Sequence, residues 1–291
     1  MNEMAYRRVR NDRINLYKSK TFKNAIMWIV LGFFLFYTIA PLVWLVISSL
    51  KTNGELMGAP LALPKTLQFQ NYKNAFEVSG LGRLFLNSII VSITATILNV
   101  IVSSMASYAI ARYDFKGKEL IFTLISAGIM VPVSALMVPV FILIKNLGLY
   151  DTKLALILTY SAMGLPLSIF IIRGFMNTIP KELEEAGVLD GCNFYQKFYK
   201  IILPLSRAGI VTAITFQFLY CWNEFIYAML LTSSQTNRTV QVGIRFFSNQ
   251  FTTDYTSMFA AITISIIPAI AGYILFQRQI ISGLTSGAVK G

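Results

Sequence analysis

The chain has 291 residues, of which 55% are hydrophobic and 13% are charged, and its formal net charge is +12. The charged fraction is about half that of an average soluble domain, which argues against a soluble globular protein. With no histidine and two cysteines, the composition indicates no metal or disulfide framework and lacks the usual acid–base group at neutral pH.

Long apolar runs alternate with short charged segments along the chain. Residues 24–50, 84–111, 120–144, 154–172 and 255–277 contain no charged side chain, and residues 208–231 contain one, Glu224. Each run reaches the ~17–25 residues that a helix needs to cross a bilayer. The sequence therefore predicts an all-α integral membrane protein, with six transmembrane helices in a single domain over residues 1–291.

Lys and Arg residues are divided unequally between the two sides that six spans define. The segments 1–23, 112–119, 173–207 and 278–291 hold 17 of the 25, and the segments on the other side hold 8. Because cytoplasmic loops carry the excess of positive charge, both termini are predicted in the cytoplasm and the chain in the inner or plasma membrane. The same distribution accounts for the net charge through topology and lipid contact rather than nucleic-acid binding.

Prolines interrupt two of the apolar runs. Pro132 and Pro139 lie in the third run, and Gly164-Leu165-Pro166 lies in the fourth. Proline removes a backbone donor and its ring crowds the preceding turn, so both helices are predicted to be kinked.

A polar segment, residues 179–204, separates the fourth and fifth runs. Pro180, followed by three glutamates, is typical of a helix start, and a short helix is predicted over residues 181–190. Gly191 then predicts a left-handed helix stop. Asn193 and Gln196 predict a capping box for a second short helix, which is expected to end before Leu203-Pro204.

Four residues of the first short helix are predicted to share one face, at positions i, i+3, i+4 and i+7. These residues are Leu183, Ala186, Gly187 and Asp190. Small side chains on that face would let the backbone of another protein come close. The residues alone leave open an interfacial amphipathic loop that has no partner.

Glu224 is the one ionisable residue in the interior of a predicted span. A carboxylate in hydrocarbon costs about 2.5–3.5 kcal/mol, so it is expected to face a cavity or a polar partner. Trp222, Asn223 and Glu224 together are candidates for the transport pathway or its gate. Three roles for Glu224 stay open: a hydrogen-bond lock between helices, a brace for an outer gate, and direct contact with a sugar. As a lock or gate, Glu224 is expected to tolerate replacement by Gln.

The polar segment also carries a spaced pattern known from one transporter family. Glu185-Ala186-Gly187, Asp190-Gly191, Ile201, Leu203 and Pro204 follow the order Glu-Ala-Ala, Asp-Gly, Ile-x-Leu-Pro, with Gly187 in place of the second Ala. This pattern resembles the coupling motif of ABC importer permeases. Similarity to the smaller, six-span permease subunit of maltose-type carbohydrate importers is carried by further segments: Asn71-Tyr72, Leu86-Asn87-Ser88, residues 107–112 and 115–117, Trp222-Asn223-Glu224-Phe225 and residues 283–291.

The resemblance implies a bacterial transport subunit, not an enzyme, that forms the membrane pathway for a sugar or oligosaccharide. Its implied partners are a second, larger permease subunit, two ATP-binding subunits and an extracytoplasmic sugar-binding protein. The helix between spans four and five would be the coupling helix, and contact with the ATPase is implied for Leu183, Glu185, Ala186, Gly187, Asp190, Gly191, Leu203 and Pro204. A tail that enters the ATPase interface is implied for Leu284, Gly287, Ala288 and Lys290.

Two further expectations concern the binding of ATP and the glycine at position 187, where the family pattern has alanine. The chain has no Gly-x-x-x-x-Gly-Lys-Ser/Thr phosphate loop, so Mg-ATP is expected on the partner ATPase, with no cofactor or metal in this chain. Glycine costs about 1 kcal/mol relative to alanine inside a helix, so the coupling helix is expected to be less rigid until it docks.

A gradient-driven secondary transporter or channel is the alternative function. Such carriers commonly show inverted repeats, or titratable residues at the membrane midplane. This sequence has one off-centre Glu and no evident repeat, which favours the ATP-driven permease.

Overall fold

The computed structural model describes the backbone of residues 3–77, 80–245 and 254–288, and the side chains from residue 23 onward apart from 276 and 278–288. Within this part of the chain all regular structure is helical, which confirms the predicted fold class. The helices are α1 (Glu3–Ser49), α2 (Asn53–Gly58), α3 (Gln70–Glu77), α4 (Leu81–Arg112), α5 (Lys118–Ala127), α6 (Met137–Asn146), α7 (Lys153–Met176), α8 (Glu182–Leu189), α9 (Phe194–Gln196), α10 (Leu203–Leu205), α11 (Arg207–Asn223), α12 (Ile226–Leu231), α13 (Val240–Arg245) and α14 (Tyr255–Ala288).

Four helices are each long and apolar enough to cross a membrane. They are α1 over Lys23–Ser49, α4, α7, and α14 over Tyr255–Leu275. Two more candidates are bent pairs, Lys118–Met130 with Val133–Asn146 at 99° and Phe194–Leu205 with Arg207–Asn223 at 77°. The described residues therefore contain four candidate spans, or up to six when each bent pair is counted as one span.

Proline has a different effect at each of its three predicted sites. The third apolar run is broken at Pro132, between the 3₁₀ turns Gly128–Met130 and Val133–Leu136, so the chain turns sharply where a kink was predicted. Pro139 lies in the first turn of α6, where a missing N–H removes no helical hydrogen bond. In contrast, α7 continues as one helix through Pro166.

Small polar residues join α4 to α7 along much of their length. Asn99 Nδ2 donates to the carbonyl of Ser161 at 2.8 Å, and Ser161 Oγ donates to the carbonyl of Ala95 at 3.1 Å. Nearer the end of α4, Ser107 Oγ donates to the carbonyl of Ile169 at 3.2 Å. Small side chains let two helices approach closely in a membrane, and these cross-helix bonds then hold them together. Helices α4 and α7 form the centre of the bundle.

Apolar side chains pack around this pair, while α1 stays largely outside it. Between α4, α7, α11 and α12 the core includes Val91, Leu156, Tyr160, Cys221 and Tyr227. The side chains of α1 from residue 23 to residue 39 are all exposed, and burial begins near Ser48 and Ser49. This exposed apolar surface suits lipid or another membrane helix.

The bundle has two ends, which differ in what they carry. The end with residues 179–204 is called the motif end, and the end with residues 232–239 is called the opposite end. At the opposite end, Asn87 Nδ2 donates to the carbonyls of Thr236 at 2.8 Å and Arg238 at 3.0 Å. The amide of Val240 donates to Ser88 Oγ at 2.8 Å. One turn of α4 therefore holds the loop that follows α12.

Asp151 ties a second loop to the same region. Its φ angle is +59°, a left-handed conformation that Asp adopts more readily than most residues. Asp151 Oδ1 accepts the amides of Ser233 at 2.9 Å and Ser234 at 3.0 Å. Burial by itself would raise the pKa of Asp151. The hydrogen bonds from Ser234 and Ser233 outweigh this effect, so the pKa of Asp151 lies below that of an ordinary Asp.

The close contact at Gly164 in α7 yields a stability prediction. A Cβ atom at Gly164 would overlap the amide group of Gln217, whose Nε2 donates to the carbonyl of Tyr160 at 2.9 Å. We expect Gly164→Ala to displace this buried amide and lower the free energy of unfolding by about 1–3 kcal/mol. Thermal unfolding of the purified protein in detergent measures the change.

Gly174 on the same helix provides the control. A Cβ atom there would have no neighbouring heavy atom within 4 Å, so Gly174→Ala should leave the melting temperature unchanged or slightly raised. Equal melting temperatures for the two variants would contradict the close approach at Gly164.

Candidate functional site

The first short helix of the polar segment forms where the sequence predicts it. Helix α8 spans Glu182–Leu189, with three glutamates in its first turn. Gly191 has φ +79°, which confirms the left-handed stop. Asn193 and Gln196 form the predicted capping box, since each side chain accepts the backbone amide of the other at 2.9 Å.

The prediction that the second short helix ends before Leu203-Pro204 was wrong. The chain runs from α9 through a π-helical turn at Lys197–Ile202 directly into α10. Pro204 lies within the first two positions of α10 but follows the π turn without a break, so it is an interior residue of a continuous helical segment. The wider π turn just ahead of Pro204 gives the proline ring room, so the helix continues where a regular α-helix would stop.

The exposed face of α8 is rotated relative to the predicted one. Gly187 is buried against the end of the Ile201 side chain in the following helix. The contact is so close that a Cβ atom at this position would overlap Ile201. Gly187 therefore packs within the segment, on the buried side of α8, and its contact with an ATPase stays a prediction. The exposed face is centred on Glu182, Glu185, Ala186 and Leu189, with Leu183 and Asp190 at its edge.

Leu189 is a residue of this face that the sequence reasoning missed. Leu189 is 89% exposed, more than the other large apolar residues of this short helix, Leu183 and Val188. The spacing held a signal, because Leu189 follows Ala186 by three positions and lies on the same side of the helix. Together with Leu183 and Val188 it gives α8 an exposed apolar surface, and such a surface marks a candidate protein contact.

The orientation of α8 is set by an ion pair with the last residue of α4. Arg112 Nε lies 2.9 Å from Glu184 Oε1, and the two side chains are 4% and 12% exposed. Arg112 Nη2 also donates to the carbonyl of Ile179 at 2.8 Å, and Tyr108 Oη donates to Glu184 Oε2 at 3.3 Å. Tyr108 and Glu184 are 76 positions apart in the chain, so no local pattern could have revealed this contact.

Aromatic rings surround the ion pair and extend the contact. Tyr108 lies 5.1 Å from Phe198 and 5.4 Å from Phe194, measured between ring centroids. Tyr113, just beyond the end of α4, lies 5.2 Å from Phe194. The polar segment is thus attached to α4 through a buried charge pair and an aromatic cluster, whereas the chain itself joins the segment to α7 and α11.

Leu203 and Pro204 lie in a different environment from the exposed face of α8. Together with Val100, Ile101 and Arg207 they line an apolar groove of about 410 Å³. The groove is formed between α4 and the start of α11. The structure therefore brings Leu183, Glu185, Ala186 and Asp190 together on α8, and separates Leu203 and Pro204 from them.

Glu224 lies at a break in the fifth apolar run, between α11 and α12. Its Oε2 accepts the hydroxyl of Tyr160 at 2.6 Å and the amide of Ala228 at 3.0 Å, and its Oε1 accepts the amide of Tyr227 at 2.8 Å. The carboxylate satisfies two amides at the start of α12 and also joins α11 to α7. This geometry favours the hydrogen-bond lock among the three roles left open by the sequence.

The neighbours of Glu224 point in other directions. Trp222 is 1% exposed, and its Nε1 donates to the carbonyl of Ser265 in α14 at 3.0 Å, so in this chain it packs against α14. Successive residues of a helix point to different sides, and Trp222 therefore packs into the core while Asn223 is exposed. Asn223 Nδ2 donates to the carbonyl of Leu219 on its own helix at 2.8 Å.

A second contact links this break to the one at Pro132. Tyr227 Oη donates to the carbonyl of Val133 at 2.8 Å, while the amide of Tyr227 donates to Glu224. Backbone that is not helical at membrane depth is tolerated where it is buried in protein or lines a polar cavity. The two breaks therefore form one connected region, which the sequence reasoning did not identify.

The predicted tail is described only in part. Helix α14 continues to Ala288 and so includes positions 284, 287 and 288 as helical backbone. The side chains of Leu284, Gly287 and Ala288 and the whole of Lys290 lie outside the described residues.

The three bonds to Glu224 revise the expected effect of Glu224→Gln. A glutamine has one acceptor oxygen, so at least one of the two backbone amides would face its NH₂ group. Loss of a hydrogen bond to a charged group costs about 1.5–3 kcal/mol. We therefore expect Glu224→Gln to lower the melting temperature, and Glu224→Leu to lower it more.

Tyr160→Phe is the matched variant, because it removes one of the three donors and leaves the carboxylate in place. Its melting temperature should lie between those of the wild type and Glu224→Leu. Wild-type stability of Glu224→Gln would show that the lock does not depend on the carboxylate.

Comparison with known proteins gives the same assignment as the motif. Residues 99–285 match the family model described as "Binding-protein-dependent transport system inner membrane component". The diacetylchitobiose uptake system permease protein NgcG of Streptomyces coelicolor is 34% identical over 267 residues, which cover 91% of this chain and 86% of that protein. The trehalose transport system permease protein SugB of Mycobacterium tuberculosis is 36% identical over 272 residues, which cover 92% and 99%.

A solved structure shows the same fold. It is a crystal structure of a bacterial ABC transporter involved in the import of the acidic polysaccharide alginate, with a TM-score of 0.80, 20% sequence identity, and coverage of 89% of this chain and 97% of that one. The coupling pattern, the all-helical fold and the match over residues 99–285 all indicate the same family. The chain belongs to the family of binding-protein-dependent transport system inner membrane components and is a multi-pass permease of the ABC type.

Proposed function

We propose that this permease forms, with a second and larger permease subunit, the membrane pathway of an ATP-driven importer for a sugar or oligosaccharide. Relatives named for diacetylchitobiose uptake and trehalose transport support the substrate class. A binding protein outside the membrane delivers the sugar, and two ATP-binding subunits hold Mg-ATP. The exposed face of α8 is the observation that carries the proposal.

The exposed face of α8 fits an ATPase contact for two reasons. It presents Leu189 beside the small residue Ala186, with the carboxylate of Glu185 next to them. The buried side of the same helix is fixed to α4 through Glu184 and Arg112. An anchored helix with an exposed apolar and charged surface is suited to receive force from a partner. Leu183, Asp190 and Gly191 border this contact in the proposal.

The distribution of Lys and Arg supports an orientation with the motif end in the cytoplasm. Of the 25 Lys and Arg residues, 17 lie in segments 1–23, 112–119, 173–207 and 278–291. Both termini are then cytoplasmic, and the ATPase meets α8 on that side. The end of α14 lies on the same side, so Leu284, Gly287, Ala288 and Lys290 are proposed to contact the ATPase pair.

The two helix breaks, at Pro132 and at Glu224, support a gate located between them. Glu224, Tyr227 and Val133 connect them, and Asn223 and residues 130–135 are exposed beside them. Unwound backbone and an exposed amide offer hydrogen-bonding groups within an apolar span, as in other transporters with discontinuous helices. In this proposal Glu224 holds the gate region in shape, and Asn223 is the side chain that faces the pathway.

A bulky residue on the exposed face of α8 tests the ATPase contact. We expect Ala186→Trp to reduce the amount of ATPase that co-purifies with the permease by about tenfold, because interface hot spots contribute 2 kcal/mol or more. Lys116→Trp, at an exposed position beyond the end of α4, is the control and should retain the ATPase. ATP-dependent uptake by proteoliposomes checks function, and full retention of ATPase by Ala186→Trp would contradict the docking surface.

Cysteine labelling tests the orientation. In a variant that lacks Cys192 and Cys221, Leu61→Cys should react with a membrane-impermeant maleimide in right-side-out vesicles, because Leu61 is 88% exposed in a segment proposed to lie outside. Glu182→Cys, exposed on α8, should react only after the vesicles are opened. The reverse labelling pattern would show that the orientation is inverted.

A further inference from the structure

We propose that Arg112 and Glu184 are positioning residues that transmit movement of α8 to α4, and that α4 carries it to the opposite end of the bundle. The inference rests on the proposed function, in which an ATPase moves α8. It adds a route for that movement that neither the coupling pattern nor the family match assigns.

The first step is the contact between α8 and α4. Arg112 Nε forms an ion pair with Glu184 Oε1 on α8 at 2.9 Å, and Arg112 Nη2 donates a hydrogen bond to the carbonyl of Ile179 in the segment before α8 at 2.8 Å. The guanidinium therefore holds the helix and its approach together. Tyr108 Oη supplies a third bond, to the other oxygen of Glu184 at 3.3 Å. A displacement of α8 that left α4 in place would have to break all three.

The second step is burial, which distinguishes this pair from an ordinary surface ion pair. Arg112 and Glu184 are 4% and 12% exposed, whereas in the pair of Lys73 with Glu77 the side chains are 63% and 61% exposed. Separating a buried pair leaves a charge without a partner and is strongly unfavourable, while exposed pairs contribute little. The contact with α8 is therefore stiff.

The third step is α4 itself. It is one uninterrupted helix of 32 residues, which corresponds to about 48 Å. At the motif end it carries Arg112, and at the opposite end Asn87 and Ser88 hold the loop of residues 236–240. The other helices that adjoin the polar segment differ, because α11 ends at the break beside Glu224, and α7 is tied to that loop through Asp151, which precedes the helix and whose carbonyl accepts Asn237 Nδ2. Helix α4 connects the two ends directly.

Spin labels on the assembled importer test this route. A permease that lacks Cys192 and Cys221 is reconstituted in nanodiscs with its partner permease and ATPase, with labels at Leu86→Cys on α4 and Leu61→Cys in the loop before α3, both exposed positions. Addition of Mg-ATP and vanadate should change the distance between the labels in the otherwise unaltered complex. In Glu184→Gln and in Arg112→Lys, the population with the changed distance should fall about tenfold, a typical strength of coupling between sites.

Two controls separate transmission from simple attachment. Arg173→Ala removes an ion pair of 3.2 Å with Glu119 at the same end of the bundle, and it should leave the distance change intact. The reversed pair, Arg112→Glu with Glu184→Arg, should recover part of the response. In all variants the ATPase should remain bound at the wild-type ratio, because the exposed side chains of α8 are unchanged and the packing of Gly187 against Ile201 still holds the helix in place.

Several results would overturn the inference. They are an undiminished distance change in Glu184→Gln and Arg112→Lys, loss of the ATPase in proportion to loss of the response, or a reversed pair that responds no better than the single variants. Failure of the unaltered permease to bind any ATPase is a different outcome, because it would contradict the proposed function itself.

Discussion

The structure depends on one constraint: within hydrocarbon, each backbone amide and carbonyl must find its partner inside the protein. Long helices meet this requirement along most of the chain. Where the fifth apolar run breaks, the Glu224 carboxylate accepts two amides of α12 and the hydroxyl of Tyr160. A costly charge within a span is thereby compensated by the donors that the break exposes, so the break and the carboxylate stabilise each other.

The same requirement explains the polar residues of α4. Asn99 and Ser107 would be unfavourable facing lipid, but against α7 they donate to carbonyls, Ser161 of α7 donates back to α4, and the small side chains allow close approach. The result is a central pair of helices with little bulk between them. Because α4 also binds loop backbone at the opposite end and Glu184 at the motif end, it joins the two regions in which partners are proposed to bind.

The polar segment shows how one distant contact decides a local surface. Helix α8 would form wherever its caps placed it, but the side that faces outward is selected by its two buried contacts, Glu184 with Arg112 and Gly187 against Ile201. The same rotation buries Gly187 against Ile201, which accounts for the glycine by packing. A larger side chain at that position would require Ile201 to move. Low rigidity of the isolated helix is then a secondary consequence of having glycine rather than alanine at position 187.

The sequence by itself determined the features that arise from local composition: the apolar runs, the bounds of α8, the stop at Gly191 and the capping box of Asn193 with Gln196. It also determined the family, because the coupling pattern is contiguous. Only the tertiary structure decided that the third run breaks at Pro132, that the helix continues through Pro204, and that Trp222 is buried while Asn223 is exposed. Periodicity shows which residues share a face of a helix, but the face that turns inward is selected by partners far away in the chain, such as Arg112 for Glu184 and Tyr160 for Glu224.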